Sequence, residues 1–462
     1  MSKIESNPSS LQASQPTRRK ILTGAAAMAI PEFVPRTVFG VGAPSNRLNI
    51  AVIGLGTQGR RLLAAFLSTN AHVLALCDVD RRQIAKAKAE TGLKSAAEYT
   101  DYRELLRHEP DLQAVVIATP DHWHMHLCHA AMEARKHVYC EKPLAHSVAE
   151  ARYLRWMARA TRVVTQMGNQ GSASDAFRRC VDAIGASLLG QVREVHAYVP
   201  GGRFPRGIDR PEGGSGPPRG LDWDFWCGPA PEQPYHDHIY HPFDWRGWYS
   251  FGSGQLGDFG CHAFNLPARA LQLGYPDRIE VSGTGFGKPS YFVSGQVRMH
   301  FPARGSLAPV TLNWYDDMNP PTTVFRDVIR FYGEAPSGVL LVGDGGLMFT
   351  SPHNKDGVLK LKGEKTFTPV LHHEAVRKIP SGLPRVRSHY DEWVRACRGH
   401  GMTYSPFEIG GHLTEIVQAG VLALRLGESI DWDGVNMRVP DMPAADRLIR
   451  LTYRPRYTHA AA

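Results

Sequence analysis

With 462 residues, 43% of them hydrophobic and 21% charged, the chain has the composition of an ordinary globular protein with room for two domains, which excludes a disordered polymer. Its formal net charge of +9 is spread over scattered lysines and arginines with no long basic block, so nucleic-acid binding has little support. Seven cysteines, an odd number with no C-x-x-C pair, argue for buried free thiols such as Cys77 and Cys140 and against a disulfide framework.

Residues 1–43 read as a separate segment. Thr17-Arg18-Arg19-Lys20-Ile21-Leu22 sets paired arginines ahead of an apolar run over residues 21–30, too short to span a bilayer. Pro31 and Pro35 stop any helix, and Gly40, Gly42 and Ala43 supply small residues beyond it. This order resembles a twin-arginine export signal, which implies a protein that leaves the cytoplasm already folded for the periplasm or another extracytoplasmic space. The alternative is a disordered basic arm with a chance apolar run. No later stretch approaches the roughly 18 unbroken apolar residues of a spanning helix, so the remainder is expected to lack a membrane span.

Residues 44–170 carry the pattern of a dinucleotide-binding domain. Leu48-Asn49-Ile50-Ala51-Val52-Ile53 reads as a buried parallel strand and runs into Gly54-Leu55-Gly56-Thr57-Gln58-Gly59, a full G-x-G-x-x-G followed by an amphipathic stretch. Glycines are needed there for the tight turn, the close approach of a pyrophosphate and the packing of helix on strand. The anion then rests on the helix N-terminus. A second strand over residues 72–77 ends at Asp78, nineteen residues past Gly59, where an acidic side chain accepts the ribose hydroxyls of NAD. Arg81 and Arg82 leave NADP open, since arginines here can hold a 2′-phosphate; their alternative is a solvated helix face.

The strand over residues 114–120 ends at Thr119-Pro120, and a helix beginning Asp121-His122-Trp123-His124-Met125-His126 follows it. His122, His126 and His129 share a helical face. The alternation with Trp and Met offers no closed ligand set and no supporting carboxylate, so no metal is assigned and the histidines are read as polar lining of a cofactor pocket. His137-Val138-Tyr139-Cys140 is a further strand, ending at Glu141-Lys142-Pro143-Leu144-Ala145. Ser147 and Glu150 form a capping box for the next helix. Lys142, at the third strand end to converge on one crevice, is placed to point at a nicotinamide; otherwise it is an ordinary surface lysine.

From residue 171 to 462 the pattern changes to alternating strands, at Val192–Val199, 295–301, 310–315 and 328–332, which fits an antiparallel sheet. Between the first two lies a long loop-rich section over residues 200–254. Its Trp223, Trp226, Trp245 and Trp248 either stack on a sugar ring or anchor the loops by packing. Gly257-Asp258-Phe259-Gly260-Cys261-His262 opens a helix on which Asp258, His262 and Asn265 share a face until Pro267. A carboxylate one turn from a histidine can orient it, and histidine suits removal of a hydroxyl proton near neutral pH. The alternative is a helix-terminal Asp beside a buried, satisfied His.

The set GLGTQG, ATPDHWH, EKP, GNQG (residues 168–171) and GDFGCH, in this order, resembles the glucose–fructose oxidoreductase/inositol dehydrogenase (Gfo/Idh/MocA) family. The likeness runs over nearly the whole chain after the N-terminal segment and includes His412-Leu413-Thr414-Glu415 and Trp432-Asp433. It implies an α/β Rossmann domain followed by an α+β domain with an open-faced antiparallel sheet. A homo-oligomer (dimer or tetramer), bound NAD or NADP, and a sugar or polyol substrate are implied with it. On this likeness Gly54, Gly56, Thr57, Gln58, Gly59, Asp78, Thr119, Pro120, His122, His124, Glu141, Lys142 and Asn169 face the cofactor. Lys142 matches the lysine of EKP, and Asp258 and His262 match the substrate carboxylate and catalytic histidine. Asn265 stands where many members carry a second aspartate. Three functions remain open: an oxidoreductase acting on a sugar hydroxyl, a glycosidase that oxidises, eliminates and returns the hydride, and a sugar sensor without turnover.

If residues 1–43 are a twin-arginine signal, replacing both Arg18 and Arg19 with lysine leaves a folded protein confined to the cytoplasm. Fractionation of cells followed by immunoblotting checks this, and export of the double variant at the normal level refutes it.

Overall fold

The computed structural model describes residues 47–202 and 204–458; the candidate signal over residues 1–43 lies outside them. The first sheet has six parallel strands in the order β3-β2-β1-β4-β5-β6, formed by Ala97–Tyr99, Ala71–Cys77, Leu48–Ile53, Ala114–Ile117, His137–Cys140 and Thr165–Met167. Helices cover both faces, so the central strands are apolar throughout. Ile50, Val52 and Val116 pack on one side with Leu62 and Phe66, while Ala51, Ile53, Val115 and Ile117 pack on the other with Leu127 and Ala131. The strand order reverses between β1 and β4, and their carboxyl ends open a crevice there.

The second sheet has nine strands, in the order β14-β13-β12-β11-β7-β10-β9-β8-β15, in which β12 to β15 are Gly346–Thr350, Val358–Leu361, Thr368–Pro369 and Ile430–Asp431. Its centre is β7 (Val192–Val199), β10 (Val310–Asp316) and β9 (Ser294–Phe301), flanked by β8 (Arg278–Thr284) and β11 (Gly338–Gly343). Alternation places Val195, Ala197, Val297, Met299, Leu312 and Trp314 in the core. The sheet is mixed: its neighbours are antiparallel except β7 and β10, which run parallel with Thr311 opposite Glu194. The expected strand over residues 328–332 is instead a helix, Arg326–Tyr332. Phe325 and Val328, three apart, bury against Leu340 and Phe349, and Gly333 at φ +86° ends the helix with its N–H on the Ile329 carbonyl.

Two C-terminal helices tie the sheets together. His389–Cys397 returns to the first sheet, where Trp393 meets Phe66 and Tyr139 edge-on at 5.4 and 5.8 Å. Phe407–Leu426 is apolar around most of its circumference and is buried accordingly, between the Val148–Thr161 helix and the second sheet. Its few polar groups are all engaged. Glu415, 1% exposed, holds Arg152 at 2.6 Å and Arg155 at 2.5 Å. The seven cysteines are free, and no helix among the described residues is long and apolar enough to cross a membrane.

Glu415→Ala takes a buried carboxylate from both Arg152 and Arg155, leaving Arg155 with Glu408 and Arg152 with the Gly434 and Val435 carbonyls. Loss of one partner from a buried pair costs ~3–5 kcal/mol, so a drop of that size is expected in denaturant unfolding; a change under ~1 kcal/mol would show that the arginines find other partners.

Candidate active site

Three glycines shape the floor of the crevice, each for its own reason. Gly54 adopts φ +86°, and a Cβ there would fall 2.7 Å from the backbone of Ala118 and Thr119. A Cβ on Gly59 would lie 1.9 Å from the Gly54 carbonyl, whereas one on Gly56 would project into open space on the crevice wall. The helix Thr57–Leu67 begins at Gly56 with no side-chain cap, so its first N–H groups are left for a ligand. This cradle fits a pyrophosphate. Asp78 lines the crevice and also braces the loop, since its carboxylate accepts the N–H of Leu55 at 2.7 Å and of Asp80 at 2.8 Å. Burial pushes its carboxyl up to about 6.

Thr57, Gln58, Thr119, Pro120, Glu141, Lys142 and Asp258 line the same crevice. Gln58 and Gln170 donate to Glu141 at 3.1 and 2.8 Å, and Thr119 Oγ1 is buried without a partner among the described residues. Asn169 lies off the wall, beside Gly168, with neither carboxamide atom partnered among the described residues. His122 and His124, expected on the cofactor, are not part of the wall. His122 is fastened between the Phe251 and Trp226 carbonyls at 3.2 and 3.0 Å. His124 bridges the Thr119 and Pro143 carbonyls at 2.9 and 2.7 Å. Their apolar surroundings recruit these rings to join loops. His126 reaches the Tyr457 carbonyl and His129 the Tyr153 hydroxyl, and no metal-holding cluster occurs among the described residues.

The loop-rich section forms a roof. Asp222 N–H donates to Val79 O at 3.0 Å and Arg81 N–H to Gly220 O at 3.0 Å. Asp80, 0% exposed, binds Arg82 through two bonds of 2.8 Å and the His241 ring at 3.1 Å. Arg82 is thereby committed, and neither Arg81 nor Arg82 reaches the crevice. Trp223, Trp226, Trp245 and Trp248 are all buried in one cluster; Trp226 and Trp245 also contribute to the crevice wall with His241 and Phe243.

Lys142 crosses from the first sheet to the helix Gly254–Ala263. Its Nζ donates to Asp258 Oδ1 at 2.5 Å and to the Asp258 carbonyl at 3.0 Å. The turn that carries it is held by Phe407–Leu426: Thr414 Oγ1 accepts Leu144 N–H at 3.2 Å, and Gln418 Nε2 donates to Ala145 O at 2.8 Å and to Ser253 Oγ at 2.9 Å. The capping box of Ser147 and Glu150 then starts the following helix. Burial alone would raise the Asp258 carboxyl, but the charges of Lys142 and Arg246 outweigh it and hold it at about 2. Burial likewise opposes the Lys142 ammonium, which Asp258 and Glu141 nonetheless raise above its ordinary value. Asp121, which accepts Ser253 N–H at 3.1 Å, behaves oppositely: burial and the nearby Asp258 charge push it up to about 7.

His262 sits one turn beyond Asp258, buried, with Nδ1 unpartnered among the described residues. Burial, Lys142 and His353 hold its imidazole well below the ordinary value, so it is neutral at physiological pH. It stands behind the wall; His353, its ring 4.5 Å away, fronts a second cavity that meets the crevice at Asp258 and Phe243. Asn265, also buried, starts the short helix Asn265–Ala270 one residue after the Gly254–Ala263 helix ends.

Models for an oxidoreductase family match the chain twice: the NAD-binding Rossmann fold over residues 48–169 and the C-terminal alpha/beta domain over residues 214–280. Over these two segments the chain is similar to the Gfo/Idh/MocA oxidoreductases. Residues 48–169 are therefore an NAD-binding Rossmann domain. Among curated members it is similar to 1,5-anhydro-D-fructose reductase of Ensifer adhaerens, 31% identical over 170 residues, which are 36% of this chain and 50% of that protein. It is also similar to glycosyl hydrolase family 109 protein 2 of Shewanella sp. (strain ANA-3), 32% identical over 129 residues, 26% of this chain and 28% of that protein. The matches thus span half or less of these relatives. Among solved structures, the inositol dehydrogenase homolog of Azotobacter vinelandii complexed with NADH and myo-inositol superposes with TM-score 0.58 at 18% identity, over 84% of this chain and 98% of that one.

His241, Asp80, Arg246, Asp121 and His353 escaped sequence reasoning. Asp121 alone stood in a quoted motif, and its partner Ser253 is 132 residues away. Because the Asp121 carboxyl is raised, it stabilises the fold below its ordinary value near 4 and loses that contribution as pH rises through about 7. Asp121→Asn should therefore lose less stability than the wild type between pH 5 and pH 8, by roughly 2–3 kcal/mol, the worth of the two pH units from 5 to about 7. Denaturant titrations at both pH values measure it, and equal losses would contradict the raised carboxyl.

Proposed function

We propose that the protein is an NAD(P)-dependent oxidoreductase acting on a hydroxyl of a sugar or polyol. The observation that carries this is the Lys142 ammonium, reaching across the crevice to Asp258 at 2.5 Å at the carboxyl ends of β4 and β5. A dinucleotide held on the glycine cradle supplies the acceptor or donor for hydride. Lys142 donates a hydrogen bond to the reacting oxygen, Asp258 accepts neighbouring hydroxyls, and His262, behind the wall with the His353 ring 4.5 Å away, is the proposed acceptor of the hydroxyl proton. The division of labour falls near residue 170, with cofactor before it and substrate and oligomer contacts after it. We place the assembly as a homo-oligomer, dimer or tetramer, through the second sheet.

We infer further that the dinucleotide stays bound and is recycled. Free NAD is scarce outside the cytoplasm, and the export reading of residues 1–43 calls for a cofactor loaded before transit. The roof supports this, because the Asp80–His241 contact and two backbone bonds fasten it at the ribose end of the crevice. A second reading, a glycosidase working through transient oxidation and elimination, draws on the likeness to the family 109 glycosyl hydrolase. Release of a phenol from aryl glycosides distinguishes it from net redox chemistry.

Denaturing the purified wild type should release about one nicotinamide dinucleotide per chain, and His241→Ala should exchange it faster. Lys142→Ala and His262→Ala should each lower turnover at least ~100-fold, the scale of a positioned acid–base group. His353→Ala is the comparator: if it alone abolishes turnover, the proton acceptor is His353. Empty wild-type protein whose activity climbs with added NAD would defeat recycling.

A further inference from the structure

The cavity beyond Asp258 is larger than a site for one hydroxyl requires. It holds about 470 Å³, within the ~300–1,000 Å³ of small-molecule pockets. Three phenyl rings, Phe204, Phe243 and Phe259, line it together with Gln255 and His353. Phe243 is 46% exposed, and it and Asp258 belong to both this cavity and the crevice.

We propose that this cavity is a subsite for a second, uncharged pyranose ring, so that the substrate is a glycoside of at least two rings. The inference rests on the carbohydrate oxidoreductase reading and names its substrate class. Phenyl faces take up the C–H face of a sugar ring, while a few fixed polar groups set its orientation. Gln255 is such a group. Its Nε2 is tied to the Pro200 carbonyl at 2.9 Å, and its buried Oε1 has no partner among the described residues. A buried acceptor is normally satisfied, and a sugar hydroxyl satisfies this one. The wall is built closely: a Cβ on Gly202 would lie 2.5 Å from Gln255 Oε1 and 2.1 Å from the Phe204 ring.

Charge sets the class of the ring. Asp258 is the one ionised group among the described residues of this wall, and Lys142 already meets it. Burial and the charges of Lys355 and Lys142 keep the His353 imidazole below its ordinary value, hence neutral. Among the described residues that line the cavity no cation is free for a carboxylate or phosphate, whereas a neutral ring leaves nothing unpaired. With its reacting hydroxyl beside the Lys142–Asp258 pair, the first ring directs its glycosidic substituent past Phe243 into the cavity.

The test uses the purified full protein with its dinucleotide bound and reads binding by calorimetry, with saturation-transfer NMR to report which ring is touched. Probes are glucose, maltose, cellobiose, lactose, glucuronate and glucose 6-phosphate. At least one neutral disaccharide should bind tenfold or more tightly than glucose, about 1.4 kcal/mol, with both rings saturated. That advantage should disappear in Phe204→Ala and in Phe243→Ala, the second of which alters an exposed ring and spares the core. Glucose binding as tightly as every disaccharide, preference for either charged sugar, or an advantage that survives both substitutions overturns the proposal. A disaccharide that binds through both rings but never reduces the dinucleotide upholds the subsite and removes the oxidoreductase reading.

Discussion

Lys142 and Asp258 place opposite charges 2.5 Å apart, 116 residues apart in sequence, in a crevice where neither side chain is much exposed. Such a pair is tolerable only when geometry and further hydrogen bonds offset desolvation. Much of the molecule is arranged to that end. The lysine leaves the end of β5 on a turn that the Phe407–Leu426 helix pins through Thr414 and Gln418. The aspartate starts its approach from Ser253, whose N–H is held by Asp121 and whose hydroxyl is held by Gln418. Glu141 and Arg246 adjust the field on either side, so the pair keeps its charges across the range in which Asp121 titrates.

The crevice is enclosed by unlike materials. Its floor is backbone, stripped of side chains at the glycine loop so that N–H groups face inward. Its roof is aromatic, a buried tryptophan cluster held to the end of β2 by main-chain bonds and by the Asp80–His241 contact. A floor of donors suits phosphate oxygens, and a roof of rings limits water around them. Both are needed if a charged ligand is to be held in low dielectric without a metal-like charge beside it.

What could be read in advance was what is local. The glycine loop, the parallel strands, the Ser147–Glu150 capping box, and the one-turn spacing of Asp258 and His262 each lie within a dozen residues, and period and turn chemistry reveal such features. The strand expected at residues 328–332 failed because Phe325 and Val328 answer to Leu340 and Phe349, which no short window contains. His122 and His124 were assigned to the cofactor by motif position, yet their ring nitrogens are taken by carbonyls up to 129 residues away. The return of Trp393 to the first sheet was hidden for the same reason. Asp80 stood beside the aspartate that was singled out, but its buried role depends on His241.

Gln418 touches Ala145 of the lysine turn and Ser253 at the head of the aspartate helix with a single carboxamide. The two halves of the reacting centre are therefore mechanically joined through a helix near the end of the chain. During synthesis the Rossmann strands emerge first, with the glycine cradle complete, and His124 can already hold Pro143, yet the link from the lysine turn to Ser253 is missing until residue 418 has left the ribosome. Assembly of the centre is thus a late event that follows completion of the nucleotide cradle. A chain stalled before that helix would own a nucleotide pocket without the Gln418 bridge between its Lys142 and Asp258 sides.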